Sequence, residues 1–267
     1  MTRANRIFIP GHVWHITHRC HKKEFLLKFS KDRGIWLNWL YEAKKRFGLR
    51  ILNYMVTSNH IHLLVIDSGQ GVIPKSMQLI AGRTAQAFNQ RKGRKGAFWE
   101  DRYHATAIER GEHLMRCLVY IDLNMVRVGV VSHPSEWKMC GYNEIQNPPD
   151  RYTLLDQKGL MEFCGINDME QLKEEYGQWV EEALKEEESR REASWSESIA
   201  VGNREFIEGT QAQLGVLATG RRMEEANGQF VLREEVNSYS AHFDPEKGPL
   251  NPENSYFWND NAYITGG

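Results

Sequence analysis

Long apolar runs, paired cysteines and a signal-peptide core are all missing from this sequence of 267 residues. No stretch approaches the roughly 20 apolar residues that span a bilayer, and the N-terminal residues lack the apolar segment of a secretory signal. The four cysteines are scattered without a Cys-x-x-Cys pair, which argues against a zinc ribbon or a disulfide framework. We therefore expect a cytoplasmic protein with reduced cysteines and no membrane partner.

A net excess of charge is also missing, because two oppositely charged halves cancel. Residues 1–130 contain 22 Lys and Arg against 9 Asp and Glu, a net charge of +13, whereas the remainder contains 12 against 26, a net charge of −14. A basic half is the electrostatic footprint of a nucleic-acid partner, since neutralising phosphates releases counterions. We expect the basic half to contact nucleic acid and the acidic half to avoid its backbone.

Two histidines flank one apolar residue in the β-branched run that ends at Ile66. Alternate residues of a strand share a face, so His60 and His62 point the same way while Ile61 points the opposite way. Two neutral imidazoles side by side supply half of a metal site. His12, His15, His18 and His21 recur every third residue, but that period does not keep residues on one face of a strand.

A second polar pair lies in a segment with helical periodicity. Tyr120 and Asn124 are four residues apart, so the phenol and the carboxamide lie one turn apart on the same helix face. A divalent ion held by His60, His62 and Asn124 would lie beside the Tyr120 hydroxyl. That combination suits tyrosine attack on a phosphodiester. Tyr103 is a rival nucleophile, but no potential ligand follows it four residues on.

Hydrophobic periodicity predicts the order strand, helix, strand, strand, helix, strand, helix, which describes an α+β, ferredoxin-like split βαβ antiparallel sheet. A basic loop, 91–96, follows the second helix, and its four cations beside Phe98 and Trp99 suit a bent single strand better than a plain solvated surface. The predicted elements are Val13–Cys20, Lys31–Phe47, Leu49–Thr57, His60–Ile66, Pro74–Gln90, Tyr103–Glu109 and Glu112–Val128.

The chain changes character after about residue 145. A Pro-rich linker precedes three predicted helices, at Leu154–Cys164, Met169–Arg191 and Asn203–Leu214. Residues from 237 onward are rich in Pro and Gly and are predicted to be disordered. We therefore expect a smaller helical C-terminal region at 146–236 and a tail at 237–267; the region could bind DNA, pair with a partner or shield the site.

Five blocks together resemble the HUH single-tyrosine transposases, an insertion-sequence-200-like superfamily, and most closely the REP-associated tyrosine transposases. The resemblance extends over about residues 6–145, and domain 1–145 is expected to be the transposase domain. Two positions depart from the family pattern, because Met125 stands where Pro usually follows Asn124 and Asp122 stands where His is usual. We expect Asp122 to face solvent rather than the metal. The blocks are Pro10–Thr17, the His60 strand, Phe98–Tyr103, Tyr120–Gly129, and Pro134–Trp137 with Gly141 and Tyr142.

The resemblance implies a strand-cleaving and rejoining enzyme acting on single-stranded or hairpin DNA. Tyr120 would form a 5′-phosphotyrosine link, and His60, His62 and Asn124 would hold Mg²⁺ or Mn²⁺; a histidine pair favours Mn²⁺ chemically. The family resemblance also implies a central His60 strand, crossed by the tyrosine helix. Arg116 and Arg127 are candidate phosphate contacts, and His15 or Arg19 would support the site from the neighbouring strand. The full set of candidate DNA-binding residues is Arg19, Arg91, Lys92, Arg94, Lys95, Arg116 and Arg127.

Two other functions stay open at this stage. One is a domesticated DNA-binding protein or repressor on the same fold without catalysis, although binding alone requires none of the set His60, His62, Asn124 and Tyr120. The other is an unrelated metal hydrolase that uses the histidine pair with further ligands. Oligomeric state is also open, with a homodimer as one possibility.

Overall fold

A seven-stranded sheet runs through the computed structural model, which describes residues 8–185, 192–226 and 228–234. Its strand order is β2-β3-β1-β4-β5-β7-β6, and all neighbours are antiparallel except β4 and β5. The strands are β1 (Val13–Arg19), β2 (Arg50–Val56), β3 (His60–Ile66), β4 (His104–Ile108), β5 (Ala200–Gly202), β6 (Arg221–Ala226) and β7 (Gln229–Glu234).

Helices pack on both sides of this sheet. The longest connect the first four strands, and shorter ones follow β4. They are α1 (Ser30–Phe47), α2 (Val72–Lys92), α3 (Glu112–Asp122), α4 (Asn124–Arg127), α5 (Tyr142–Gln146), α6 (Gln157–Cys164), α7 (Met169–Lys185), α8 (Ser194–Glu197) and α9 (Arg204–Leu214). None of the helices within the described ranges is both long enough and apolar enough to span a membrane.

The first four strands and two helices form the ferredoxin-like unit predicted from the sequence. The chain runs β1-α1-β2-β3-α2-β4, and the strands lie in the order β2-β3-β1-β4. In that order β3 lies between β2 and β1, so its histidines are carried on an interior strand. The C-terminus of α1 is set by Gly48, whose backbone adopts the left-handed conformation that a glycine C-cap tolerates.

The two faces of this unit carry different side chains because each strand alternates. In the β1–β3 register Thr17 lies opposite His62 and Arg19 opposite His60, so these residues share one face. Residues 61, 63 and 65 point to the other face and are fully buried. Trp99, which stacks on His18 on that apolar side, donates a hydrogen bond from its indole to the α2 carbonyl of Ala81. The apolar face is thus covered by helices, and the histidine face is left for α3.

The tyrosine helix is shorter than the predicted Glu112–Val128. It ends at Asp122, and α4 restarts at Asn124 after Leu123 leaves the helical conformation. Backbone hydrogen bonds from Leu123 to Val119 and from Arg127 to Leu123 carry the chain across the break. The pair Tyr120 and Asn124 therefore still faces the sheet.

The C-terminal region is not simply helical, which corrects the prediction for 146–236. Helices form near the predicted places, but β5, β6 and β7 extend the main sheet through a parallel pairing of Ala107 with Ala200 and Ile108 with Val201. The strands were missed because β5 spans three residues and β6, Arg221–Ala226, is highly charged. Residues 186–191 of the predicted helix and the predicted tail, 237–267, lie outside the described residues.

Candidate active site

The two histidines of β3 form the centre of a polar cluster on the histidine face. Their rings lie at right angles with centroids 5.0 Å apart. Nδ1 of His60 is 2.7 Å from Oδ1 of Asn59 and 2.9 Å from Oγ1 of Thr57, both from the turn that precedes β3. Hydrogen bonding at one ring nitrogen fixes the orientation of the ring and the role of the other nitrogen. The β2–β3 turn therefore orients His60.

A third histidine, His15 of β1, supports His62 from the neighbouring strand. The two ring planes are within 9° of parallel, with centroids 5.1 Å apart, and His15 Nε2 lies 2.9 Å from His62 Nδ1. His15 is completely buried, and burial lowers its pKa to about 4, with the Trp195 carbonyl opposing that shift. His15 is therefore neutral at physiological pH. Arg19, the alternative supporting residue, instead pairs with Glu100 at 2.5 Å.

Tyr120 projects from α3 onto this histidine cluster. Its ring centroid lies 6.1 Å from that of His62 and 6.3 Å from that of His15, with both pairs edge to face. The guanidinium of Arg127 lies 4.3 Å from the phenol centroid and donates a hydrogen bond to the Tyr120 carbonyl at 2.6 Å. Trp195 of α8 lies 6.2 Å away on another side. The residue is only 7% exposed, so the phenol is held in a defined position.

Asn124 completes the grouping that the sequence predicts. Its Nδ2 atom is 3.1 Å from Nε2 of His62. The O and N atoms of a carboxamide are interchangeable by a 180° flip, so the same side chain offers its oxygen at this place. His60 and His62 of β3, Tyr120 of α3 and Asn124 of α4 are thus brought together.

The donor set fits a divalent ion, although the described residues contain no group of three or more His, Cys, Asp or Glu side chains placed to hold one. The Asn124 carboxamide lies 3.1 Å from Nε2 of His62, and His15 engages the other ring nitrogen, Nδ1. Two imidazoles and one amide oxygen would leave several coordination positions for substrate oxygens or water. The alternative of an unrelated metal hydrolase requires protein ligands beyond the two histidines and Asn124. This set of ligands therefore favours the hydrolase less than a site in which the substrate also binds the ion.

Asp122 is buried, which corrects the expectation that it faces solvent. Its carboxylate accepts hydrogen bonds from Tyr176 of α7 and, at 3.1 Å, from Nδ2 of Asn53 on β2. Burial raises the pKa of Asp122 to about 7, and the two hydrogen bonds oppose that rise. The carboxyl group therefore ties the tyrosine helix to α7 and β2.

The rival candidates lie elsewhere. Tyr103 packs beside His18 and Phe8, with ring centroids 6.2 Å and 6.5 Å away. His18 itself stacks on Trp99 and approaches the Asp101 carbonyl at 2.8 Å. His12 lies beside Phe206, with ring centroids 5.5 Å apart, so His12, His15 and His18 have different neighbours and the period-three series does not form one site.

Of the seven predicted DNA-binding cations, Arg19 pairs with Glu100 and the other six divide into two groups. Arg127 contacts Tyr120, whereas Arg116 lies near His113 at the start of α3. The other group follows α2: Arg91 pairs with the buried Asp32, Arg94 lies 3.7 Å from Glu24, and Lys92 and Lys95 are exposed. Part of the predicted basic surface is therefore already used in ion pairs.

Phe98 and Trp99 do not form the stacking surface expected beside this loop, because Phe98 is buried and Trp99 packs on His18. Two aromatics that the sequence reasoning missed are exposed there instead. Phe25 is 60% exposed and Phe29 is 55% exposed, and Nζ of Lys92 lies 5.5 Å from the Phe29 ring. Their signal in the sequence was a pair of aromatics interleaved with lysines between His21 and Lys31.

These aromatics adjoin the histidine cluster. Leu27 donates a backbone hydrogen bond to the Ser58 carbonyl at 2.9 Å, and Asn59 donates from its side chain to the Lys23 carbonyl at 3.2 Å. The segment 22–29 is therefore fastened to the turn that orients His60. We call Phe25, Phe29, Lys92 and Lys95 the aromatic–basic surface.

Fold and site define an α+β protein in which a tyrosine from a helix meets two histidines of an interior strand. Residues 10–124 match the family model described as Transposase IS200 like. This part of the chain is similar to the IS200-like transposases, the superfamily that the sequence motifs also resemble. The matched segment contains every member of the cluster of His15, His60, His62, Tyr120 and Asn124.

Solved structures with similarity to the chain include two transposases. A REP-associated tyrosine transposase bound to a REP hairpin shares 18% identity, with 57% of this chain and 90% of that chain covered and a TM-score of 0.47. A putative transposase from Deinococcus radiodurans R1 shares 17% identity, with 43% and 91% covered and a TM-score of 0.32. No curated protein matches the chain significantly. The similarity to IS200-like transposases rests on the match over residues 10–124.

Proposed function

We propose that the protein is a metal-dependent transposase that cleaves and rejoins single-stranded, hairpin-associated DNA through a covalent phosphotyrosine. The observation that carries the proposal is the meeting of Tyr120, His60, His62 and Asn124 in one cluster. They come from elements some sixty residues apart in sequence, and binding DNA without cleaving it requires none of them. The family match over residues 10–124 supports the same chemistry.

In the proposed reaction the Tyr120 oxygen attacks the phosphorus of a phosphodiester. A bond forms between that oxygen and phosphorus, the bond from phosphorus to the 3′ oxygen breaks, and the phenol proton is lost while the 3′ oxygen gains one. The products are a 5′-phosphotyrosine and a free 3′-hydroxyl, and the reverse attack rejoins the strand. An ion held by His60, His62 and Asn124 would polarise the phosphoryl oxygen.

The residues of the chain have separate tasks in this scheme. The position of Tyr120 is fixed by Arg127, which covers the ring and holds the backbone carbonyl at 2.6 Å. Burial lowers the pKa of Arg127, while Tyr120 and Glu192 favour its charged form. A half-buried guanidinium beside Tyr120 also places a positive charge close to an incoming phosphate.

The DNA partner is proposed from charge and exposure. Lys92 and Lys95 can neutralise phosphates, while Phe25 and Phe29 offer faces on which unpaired bases stack. This surface adjoins the turn before His60, so a strand held on it leads toward the cluster. The similar REP-associated transposase was solved with a REP hairpin, and we propose a hairpin with a single-stranded flank as the substrate.

The test is incubation with a library of single-stranded hairpin oligonucleotides and Mn²⁺ or Mg²⁺, followed by denaturing electrophoresis for protein–DNA adducts. We expect a metal-dependent adduct that Tyr120→Phe abolishes and that Tyr103→Phe, the matched control, retains. DNA binding without an adduct under either metal would replace this proposal with the repressor function.

A further inference from the structure

A line of hydrogen bonds connects the C-terminal region to the proposed metal ligand. The Trp195 carbonyl lies 2.7 Å from Nδ1 of His15, Nε2 of His15 lies 2.9 Å from Nδ1 of His62, and Nε2 of His62 lies 3.1 Å from the side chain of Asn124. His15, His62 and Trp195 are all buried. The line starts 71 residues beyond the segment that matches the family model, which ends at residue 124.

The chemistry of each atom gives this line a direction. A carbonyl oxygen only accepts hydrogen bonds, so Nδ1 of His15 carries the proton in its bond to Trp195. A neutral imidazole has one donor and one acceptor nitrogen, so Nε2 of His15 accepts. His62 must then donate from Nδ1, which leaves its Nε2 with a lone pair directed at Asn124. That lone pair is what a metal ion requires.

We propose that His15 is a positioning residue that, anchored by the Trp195 carbonyl, holds His62 in the one tautomer able to bind a metal ion through Nε2. This inference rests on the proposed metal-dependent function. It assigns a task to the C-terminal region, which supplies a fixed acceptor to a site whose ligands all come from the transposase domain.

The fixed ring geometry supports this assignment. The His15 and His62 ring planes lie within 9° of parallel and their facing nitrogens are 2.9 Å apart, so one hydrogen bond holds the two rings in a defined relative orientation. His60 is oriented at its own Nδ1 by Asn59 and Thr57, which are local residues. The β2–β3 turn thus supports His60. His62 is supported by His15, which is itself anchored by Trp195, 180 positions further along the chain.

We call the line of hydrogen bonds from the Trp195 carbonyl through His15 to His62 the relay. Three variants distinguish an effect of the relay from an effect of simple packing. His15→Gln keeps an amide oxygen near the position of Nε2 and can accept from His62. His15→Leu fills similar space without an acceptor. Thr106→Val is the matched control: Thr106 lies opposite His15 in the sheet and donates to the Ser198 carbonyl at 2.7 Å, so its loss loosens the same C-terminal segment without touching His62.

Two readouts avoid catalytic turnover. Imidazole ¹⁵N NMR of the metal-free protein reports which nitrogen of His62 carries the proton, and titration with Mn²⁺, followed by the EPR signal of the free ion, reports affinity. We expect His62 to be protonated at Nδ1 in the wild type, in His15→Gln and in Thr106→Val, and to populate both tautomers in His15→Leu. We expect Mn²⁺ affinity to fall about 10- to 100-fold in His15→Leu and to be largely retained in the other two.

The outcomes distinguish this inference from the proposed function. If His15→Leu binds Mn²⁺ like the wild type and leaves the His62 tautomer unchanged, the relay is wrong and the metal site stands. If Thr106→Val weakens binding as much as His15→Leu, the segment acts through packing and the relay is likewise overturned. If the wild type binds no Mn²⁺ that His62→Ala removes, the metal-dependent function itself fails.

Discussion

The two ends of the single sheet differ in what they contribute. The part from β1 to β4, with α3, carries the histidines, the tyrosine and the basic residues. The part from β5 to β7, with α7 and α8, is acidic and contributes contacts that hold other residues in place: the Trp195 carbonyl to His15 and the Tyr176 hydroxyl to Asp122. Proposed chemistry and structural support are thus separated along the chain but joined in the fold.

This difference teaches where substitutions should act. We call the first part, β1 to β4 with α3, the chemical part, and the second, β5 to β7 with α7 and α8, the supporting part. Changes in the first part should alter metal binding, DNA binding or the chemical step. Changes in the second should lower stability or act through the position of His62.

The strongest test of the chemical part is His62→Ala. Removing a proposed ligand at the centre of the cluster should slow metal-dependent adduct formation at least about 100-fold, the upper end of what losing a supporting residue costs. His113→Ala is the control, since His113 pairs with Glu109 at 2.9 Å on the first turn of α3. Adduct rates measured across a Mn²⁺ series check this, and equal rates in both variants would contradict the proposed ligand.

The aromatic–basic surface is tested by Phe25→Ala and Phe29→Ala. Each should weaken binding of a single-stranded oligonucleotide by about 1–3 kcal/mol, the value of one base stacked on an aromatic ring. Tyr152→Ala provides the control, because Tyr152 is an aromatic residue of the C-terminal part that is 78% exposed. Fluorescence anisotropy at constant salt measures the affinities. A loss of similar size in all three variants would contradict a localised surface.

Tyr176→Phe tests the supporting part. It leaves an oxygen of the buried Asp122 without its Tyr176 partner, so the free energy of unfolding should fall by about 1–3 kcal/mol. Chemical denaturation is the measurement, and Tyr152→Phe is the matched control on an exposed side chain. At a temperature where both variants are folded, adduct formation should stay close to the wild-type rate. A large loss of activity without a loss of stability would place Tyr176 in the chemical part instead.

The smallest effect concerns the cations after α2. Lys92→Gln and Lys95→Gln should each reduce the slope of log affinity against log salt concentration by about 0.7 for a single strand. Arg91→Gln should change that slope less and stability more, since Arg91 neutralises the buried Asp32. Binding isotherms at four salt concentrations, with a melting curve for each variant, separate the two. Identical slopes for all three variants would exclude this division of roles.

The sequence predicted the transposase-like part well because its signals are local. Alternation in His60–Ile66 placed both histidines on one face, and the four-residue spacing placed Tyr120 and Asn124 together. The structure confirms the predicted α+β, ferredoxin-like strand order. It also places the two pairs in contact, although neither pattern alone shows that a strand and a helix meet.

The missing parts depended on distant partners. Asp122 looked solvent-facing because its partners, Asn53 and Tyr176, lie 69 and 54 residues away. The charged strand Arg221–Ala226 forms at the edge of the sheet, where half-exposed side chains leave no apolar alternation. A backbone carbonyl such as that of Trp195 has no sequence signal at all, since every residue has one.

The contact between His15 and Trp195 also has a consequence for the order of synthesis. Ribosomes add roughly 5–20 residues per second, so Trp195 is made about 4–15 s after Tyr120. The interval between His15 and Trp195 is longer still. Until then the nascent chain carries both histidines of β3 and the tyrosine, but His15 lacks its acceptor. The newly made protein thus contains its proposed nucleophile well before it contains the carbonyl that anchors its proposed metal site.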